Sequence, residues 1–559
     1  MTREGRVPAV GLRPPAEVMR LERLGAAFPT RLSFMRVLIR RLAAEGARVS
    51  RPVWEIDPAG YGHAVYSVAL GGRTYSLVAV STPLDPSERS DRVIAEAWDT
   101  AYVLYDGVPE TAEIARIARD APRQEAARFA PSDLVLSRAN RSARLFDHVV
   151  ERLAAGRQPD AEVLAETGYL MRTTAVYGNG KYGIADRARI AGRAELAGPF
   201  QAEMLTVWLI RRFTLDLVEQ IAAGRSGGAA PLSPGVRRLL GIGNSTGLGM
   251  APFLVTHPVL LHRWIAARET AIARVRAVER AGPGEIARFT ALLERAQAHC
   301  AEWCVCDPRQ AARVETLRAE LSALADGLPG RLAQTAFPWD RLIAATGDLS
   351  EETQELVAAL VLEPHGDLVD DLADEMAADH DGWLEPEMTV ASLRRILETQ
   401  YDWALGVNFA EPAQTARFWY VSQEKLEPRL GERAREPGAD RELPLDIARQ
   451  VQALCRALVR RRAEESVARL LLDRPELRAI VRRVQTVARH PYGEVRANLL
   501  SADCVPVDLL RAKLAFFGAS KFDPKSDRWT RITMFQGAPL ADPGPGADDW
   551  AFPVAGGGA

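Results

Sequence analysis

The sequence predicts a helix-rich α+β fold, multi-lobed, with a small N-terminal antiparallel sheet and hairpins inserted between helical blocks. Three observations carry the prediction. Apolar residues recur at helical spacing through most of the 559 residues. A period of two takes over between residues 51 and 107, and Gly-Gly or Asn-Gly pairs stand where hairpins would turn.

The bulk numbers bound the rest. The chain is 47% hydrophobic and 26% charged, too apolar for a disordered protein. Its length suggests about three or four lobes. Lys plus Arg number 71 against 73 Asp plus Glu, so no basic surplus points to nucleic acid. Five cysteines, an odd number, argue for a reducing compartment and against a disulfide framework. The first thirty residues lack the apolar core of a secretory signal. The most apolar segment, "MLTVWLIRRFTLDLV", is broken by Arg211, Arg212 and Asp216, which excludes a membrane span. A cytoplasmic protein without a membrane partner is expected.

Element by element, residues 1–108 form an N-terminal α+β lobe. "LSFMRVLIRRLAAEG" places Phe34, Val37, Leu38 and Leu42 on one helical face. "HAVYSVALGGRTYSLVAVS" alternates on both sides of Gly71-Gly72, a two-residue hairpin, and "RPVWEID" and "RVIAEAWDTAYVLYDG" add strands. Residues 109–282 form a central helical region. It carries an Asn-Gly hairpin at 169–187, the apolar helix "GPFQAEMLTVWLIRRFTLDLVEQIAAG" and a glycine-rich loop at 241–249. Residues 283–400 read as helices, 401–540 as a mixed α+β region, and 541–559 as a flexible tail.

The stretch "GIGNSTGLGMAPF" bears most on function. Four glycines with Asn244, Ser245 and Thr246, ahead of an apolar run, read as a loop whose outward amides hold an anion before a helix N-terminus. Asn, Ser and Thr also serve as plain helix caps, but four glycines, Gly247 and Gly249 among them, and three polar residues exceed what a cap needs. Within it, "TGLGMAPF" resembles the TGxGxAPF signature of the ferredoxin–NADP reductase family at Thr246, Gly247, Gly249, Ala251, Pro252 and Phe253. The resemblance implies that Thr246 and the glycines line pyridine-nucleotide phosphates. It covers eight residues, no Arg-x-Tyr-Ser motif precedes it, and "GVRRLLGIG" is weak as the strand the family places there, so no family is assigned.

The hairpin "MRTTAVYGNGKYGIADR" crowds Arg172, Tyr177, Asn179, Lys181 and Tyr182 around one turn. A turn needs only Asn-Gly. Lys181 suits an anion clamp and a tyrosine suits proton transfer, although an exposed hairpin tip would carry the same residues. The two Asn/Gly-rich bends are expected to converge on one pocket.

Weaker candidates remain. "AHCAEWCVCD" holds His299, Cys300, Cys304 and Cys306, at a spacing poor for zinc. The carboxylates of "EPHGDLVDDLADEMAADHDGW" mostly fall on the solvent face of an amphipathic helix, so no metal is assigned. His490, beside a proline, is placed as a loop acid or base.

The expectation is therefore a cytosolic enzyme acting on a small anionic, phosphorylated or carboxylated, molecule. Tyr177, Lys181, Tyr182 and His490 would act in catalysis. Arg172, Asn179, Asn244, Ser245, Thr246, Gly247 and Gly249 would bind substrate. The cofactor is left unknown, and self-association is compatible with the chain. The alternatives are a non-catalytic helical scaffold or interaction protein, and a nucleotide-dependent oxidoreductase.

Overall fold

A computed structural model describes residues 11–88, 97–122, 130–173, 190, 192–248, 251–377, 382–422, 428–434, 439–519, 523–526, 528–540, 543–544 and 550–554. The period-two segments form strands. β1 (Val49–Ile56), β2 (Gly62–Leu70), β3 (Arg73–Ser81), β4 (Thr100–Asp106) and β5 (Asp133–Arg141) make an antiparallel series. Gly71 and Gly72, at φ 61° and 70°, close the expected β2–β3 hairpin.

The sheet neither stays small nor ends at the N-terminal lobe, which corrects the sequence expectation. β6 (Tyr169–Thr173) and β7 (Gly241–Gly247) extend it. β8 (Arg417–Ser422), β9 (Pro428–Glu432) and β10 (Ala439–Glu442) form a separate three-stranded sheet, while β11 (Asp523–Ser526) and β12 (Trp529–Met534) return to the large one. Its order is β1-β2-β3-β4-β5-β6-β7-β12-β11, nine strands in all.

The glycine-rich stretch is the largest departure. Gly241–Gly247 is not a loop but a strand inside this sheet, parallel to β6 and antiparallel to β12. Its glycines serve close approach. A Cβ on Gly241 would lie 2.4 Å from the Met534 carbonyl oxygen, and one on Gly243 would lie 2.4 Å from the Tyr169 ring.

Helices cover both faces of the sheet. The helices include α1 (Phe34–Ala44), α2 (Thr111–Asp120), α3 (Gln201–Arg225), α4 (Ala251–Thr256), α5 (Pro258–Arg276), α6 (Pro283–Ala301), α7 (Glu351–Leu360), α8 (Arg478–Arg489) and α9 (Val507–Phe517), together with Pro308–Ala325, Val390–Gln400, Ile447–Leu458 and several shorter ones. α3 crosses one face from β2 to β7 and is buried on nearly every side, as a helix apolar all round should be. Tyr66 and Tyr102 meet its Phe213 edge-on. On the opposite face Val65, Val78, Val80, Val103 and Leu136 pack on Ile114 and Ile117 of α2. The alternation along β2 to β5 is thus read out on two helices.

The charges that interrupt α3 are structural. Asp216 accepts the Tyr66 hydroxyl at 2.7 Å and Arg237 at 2.9 Å. Arg211, fully buried, donates to the carbonyls of Leu240 at 2.6 Å, Arg238 at 2.5 Å and Ala538 at 2.8 Å. It clamps α3 to the start of β7 and to the chain after β12. Burial without a carboxylate partner pushes Arg211 down to about 9, with Arg238 and Arg237 adding repulsion. The main core cluster runs from Val18 to Phe552. Within the stretch expected to be a flexible tail, Trp550 and Phe552 are buried. Among the described residues, no helix is long and apolar enough to cross a membrane.

Candidate functional site

β6, α3 and β7 form a strand–helix–strand crossover whose two strands are parallel. Among the described strands this is the one parallel pair. Tyr169 stands beside Gly241 and Arg172 beside Gly243, so the chain leaves β6 at Thr173 and β7 at Gly247 on the same side of the sheet. In open sheets with parallel strands, ligands bind outside such carboxyl ends.

Arg172 is buried, pairing in register with Asn140 of β5. Asn244 is buried as well, and its Nδ2 donates to the Thr173 carbonyl oxygen at 2.6 Å, stapling the end of β6 to β7. Its expected role as a ligand-facing donor is corrected to this extent: one of its amide hydrogens is committed to the sheet. The Thr173 hydroxyl meets that of Ser137 at 2.6 Å. Backbone pairing sets Ser245 opposite Arg531, Thr246 opposite Thr530 and Gly247 opposite Trp529 of β12. Beyond β7 the chain enters α4, six residues long and too short for a strong dipole, then turns into α5 at Pro258. Tyr177, Asn179, Lys181, Tyr182 and Gly249 lie outside the described residues.

His490 directly follows α8, ahead of Pro491. It caps α8 and packs against α5. Its Nδ1 donates to the Thr486 carbonyl oxygen at 3.0 Å, its ring stacks on Trp383 at 5.3 Å, and it meets His262 edge-on at 4.9 Å. Tyr492 stacks on His262 and donates its backbone N–H to His262 Nδ1 at 3.2 Å. Burial, with His490 and Arg263 nearby, pushes His262 down to about 4.

The cysteine segment is dispersed. Cys300 is buried and its thiol is pushed up to about 12 by burial, whereas Cys304 and Cys306 are exposed. His299 Nδ1 donates to the Pro553 carbonyl oxygen at 2.8 Å. Among the described residues no group of three or more His, Cys, Asp or Glu side chains is placed to hold a metal ion.

Two assemblies escaped sequence reasoning. One is a buried ion network: Glu355 accepts Arg13 at 2.7 Å and Arg23 at 2.8 Å and also pairs with Arg268, while Glu269 takes Arg13 at 2.7 Å. The other surrounds α9, where every residue is buried, Asp508, Arg511 and Lys513 included. Burial pushes Lys513 down to about 7, and pushes Asp508 up to about 6 against the pull of Arg313 and Arg511. Three charged residues inside the apolar run "VDLLRAKLAFF" were the available signal. No family model, curated protein or solved structure matches this chain.

Proposed function

We propose that the protein is an enzyme that binds a small anionic molecule, phosphorylated or carboxylated, at the carboxyl ends of β6 and β7. One observation carries this reading. The two stretches whose composition suggests anion chemistry contribute neighbouring parallel strands, and the chain runs out of both on one side of the sheet. Arg172 supplies positive charge at the β6 end. Tyr177, Lys181 and Tyr182 follow β6 in the chain and, with His490, would handle charge and protons.

A second reading, a nucleotide-dependent oxidoreductase, is favoured by a specific feature. The reductase-like TGLGMAPF does continue a buried strand, β7, and its Ala251 opens a helix.

Thermal unfolding of the full chain against inorganic phosphate, dicarboxylates, CoA and nucleotides tests both. At least one class should raise Tm with increasing ligand, and Lys181→Ala or Arg172→Gln should remove that shift. A shift confined to pyridine nucleotides would select the second reading. No shift with any ligand, or full shifts in both variants, overturns the proposal in favour of a scaffold.

A further inference from the structure

A cavity of about 60 Å³, opening into about 670 Å³ of unfilled space with its mouth, lies away from the chemistry proposed above. It is bounded by the loop after Leu21–Gly25, by α1, by the ends of α6 and α9, and by the C-terminal residues 550–553. Its walls are chiefly rings: Phe28, Trp303, Trp550 and Phe552. Phe28 and Trp303 stack at 5.8 Å with planes 6° apart, and His299 stands edge-on to Trp303 and to Phe552.

Two guanidiniums reach the cavity, yet neither brings unmet charge. Arg36 holds Glu363 through two contacts of 2.6 Å, and Arg511 holds Glu352 at 2.5 and 2.6 Å. Aromatic surface without net charge favours a neutral aromatic ligand over an ion, because an ion would lose its hydration for no new partner.

The C-terminal wall is the removable one. It has no helix or strand, and it is held by the His299–Pro553 hydrogen bond and by Trp550 stacked on Phe535 at 6.3 Å. Phe552 sits at φ 54°, a left-handed backbone that a bulky residue adopts only under constraint. An apolar cavity that admits a benzene ring measures about 150 Å³. The closed cavity is smaller, so a ring-sized guest requires this wall to yield.

We propose that the cavity binds a small neutral aromatic molecule of phenol or indole size, admitted by outward movement of residues 550–553. Calorimetric titration of the full chain with phenol, indole and benzoate tests it. Phenol and indole should bind, with benzoate at least about tenfold weaker. Ala27→Leu, half-exposed on the wall, should weaken phenol by about tenfold or more. Phe552→Gly, which frees the left-handed backbone and loosens the wall, should strengthen it. Lys181→Ala should leave it unchanged, which keeps this result separate from the anion site. Absence of binding at millimolar phenol and indole, equal binding of benzoate, or unchanged phenol affinity in both wall variants overturns the proposal.

Discussion

Glu355 offers the sharpest test of what holds the helical part together. Its carboxylate has no exposed surface and accepts from Arg13, Arg23 and Arg268, whose side chains are 12%, 7% and 7% exposed. These residues come from the N-terminal segment, the following short helix and α5, so one carboxylate on α7 joins four elements. Burial alone would raise its pKa, but Arg13 and Arg268, with Arg23, outweigh that and hold it well below the usual carboxylate range. Glu355→Gln keeps the shape, leaving Arg13 and Arg268 to share Glu269, and Arg23 with only Glu17 and Glu351, each 3.6 Å away. Removing one partner from a buried ion cluster costs about 3–5 kcal/mol, against about 0–1 for an exposed pair. Urea unfolding followed by circular dichroism should show a loss in the first range at neutral pH. The pH dependence has a fixed sign. A depressed carboxylate contributes stability fully present above its unfolded pKa of about 4.3 and lost as pH falls toward its lower folded value. The gap between wild type and Glu355→Gln should therefore hold from neutrality to about pH 5 and narrow below about pH 4.3. A loss under about 1 kcal/mol, or a gap that widens in acid, refutes the account.

Two further outcomes follow from the packing and the imidazole pair. Gly243→Ala would drive a methyl into the Tyr169 ring, where 2.4 Å is available; overpacking of this kind costs about 1–3 kcal/mol, and hydrogen exchange should localise the damage to β6 and β7, with any anion-induced Tm shift lost alongside. His262, pushed down to about 4 by burial, charges more readily unfolded than folded. Its contribution is present above about pH 6.5 and declines as pH falls toward 4, so His262→Gln should flatten the stability profile across that window, and a proton NMR titration should place the His262 midpoint well below that of an ordinary histidine.

How far the sequence reached depends on the element. The Gly71-Gly72 hairpin was legible because both its signals, alternation and a two-residue turn, are local. α3 was legible as an apolar helix, but the purpose of Arg211 was not, since the carbonyls it satisfies come partly from residue 538. β5 was missed. Ser137, Arg138 and Asn140 interrupt its alternation, and it is buried because neighbours cover both its faces. In the candidate site, Arg172 and Asn244 were singled out by residue type, whereas the bond from Asn244 to the Thr173 carbonyl spans 71 positions. His490 was read as a loop residue because a proline follows it; the burial that fixes it comes from Trp383 and His262.

What the sequence determined by itself is the helix-rich α+β class and the existence of its long helices and N-terminal hairpin. Each of these rests on periodicity or composition within a few neighbouring residues. Tertiary structure alone decided that a glycine-rich segment would be a central strand, that it would lie parallel to β6, and which arginine would meet which buried carboxylate. Strand pairing and ion pairing join groups hundreds of positions apart, and a glycine kept free of side chain for a neighbour's ring looks, locally, the same as one kept for a turn.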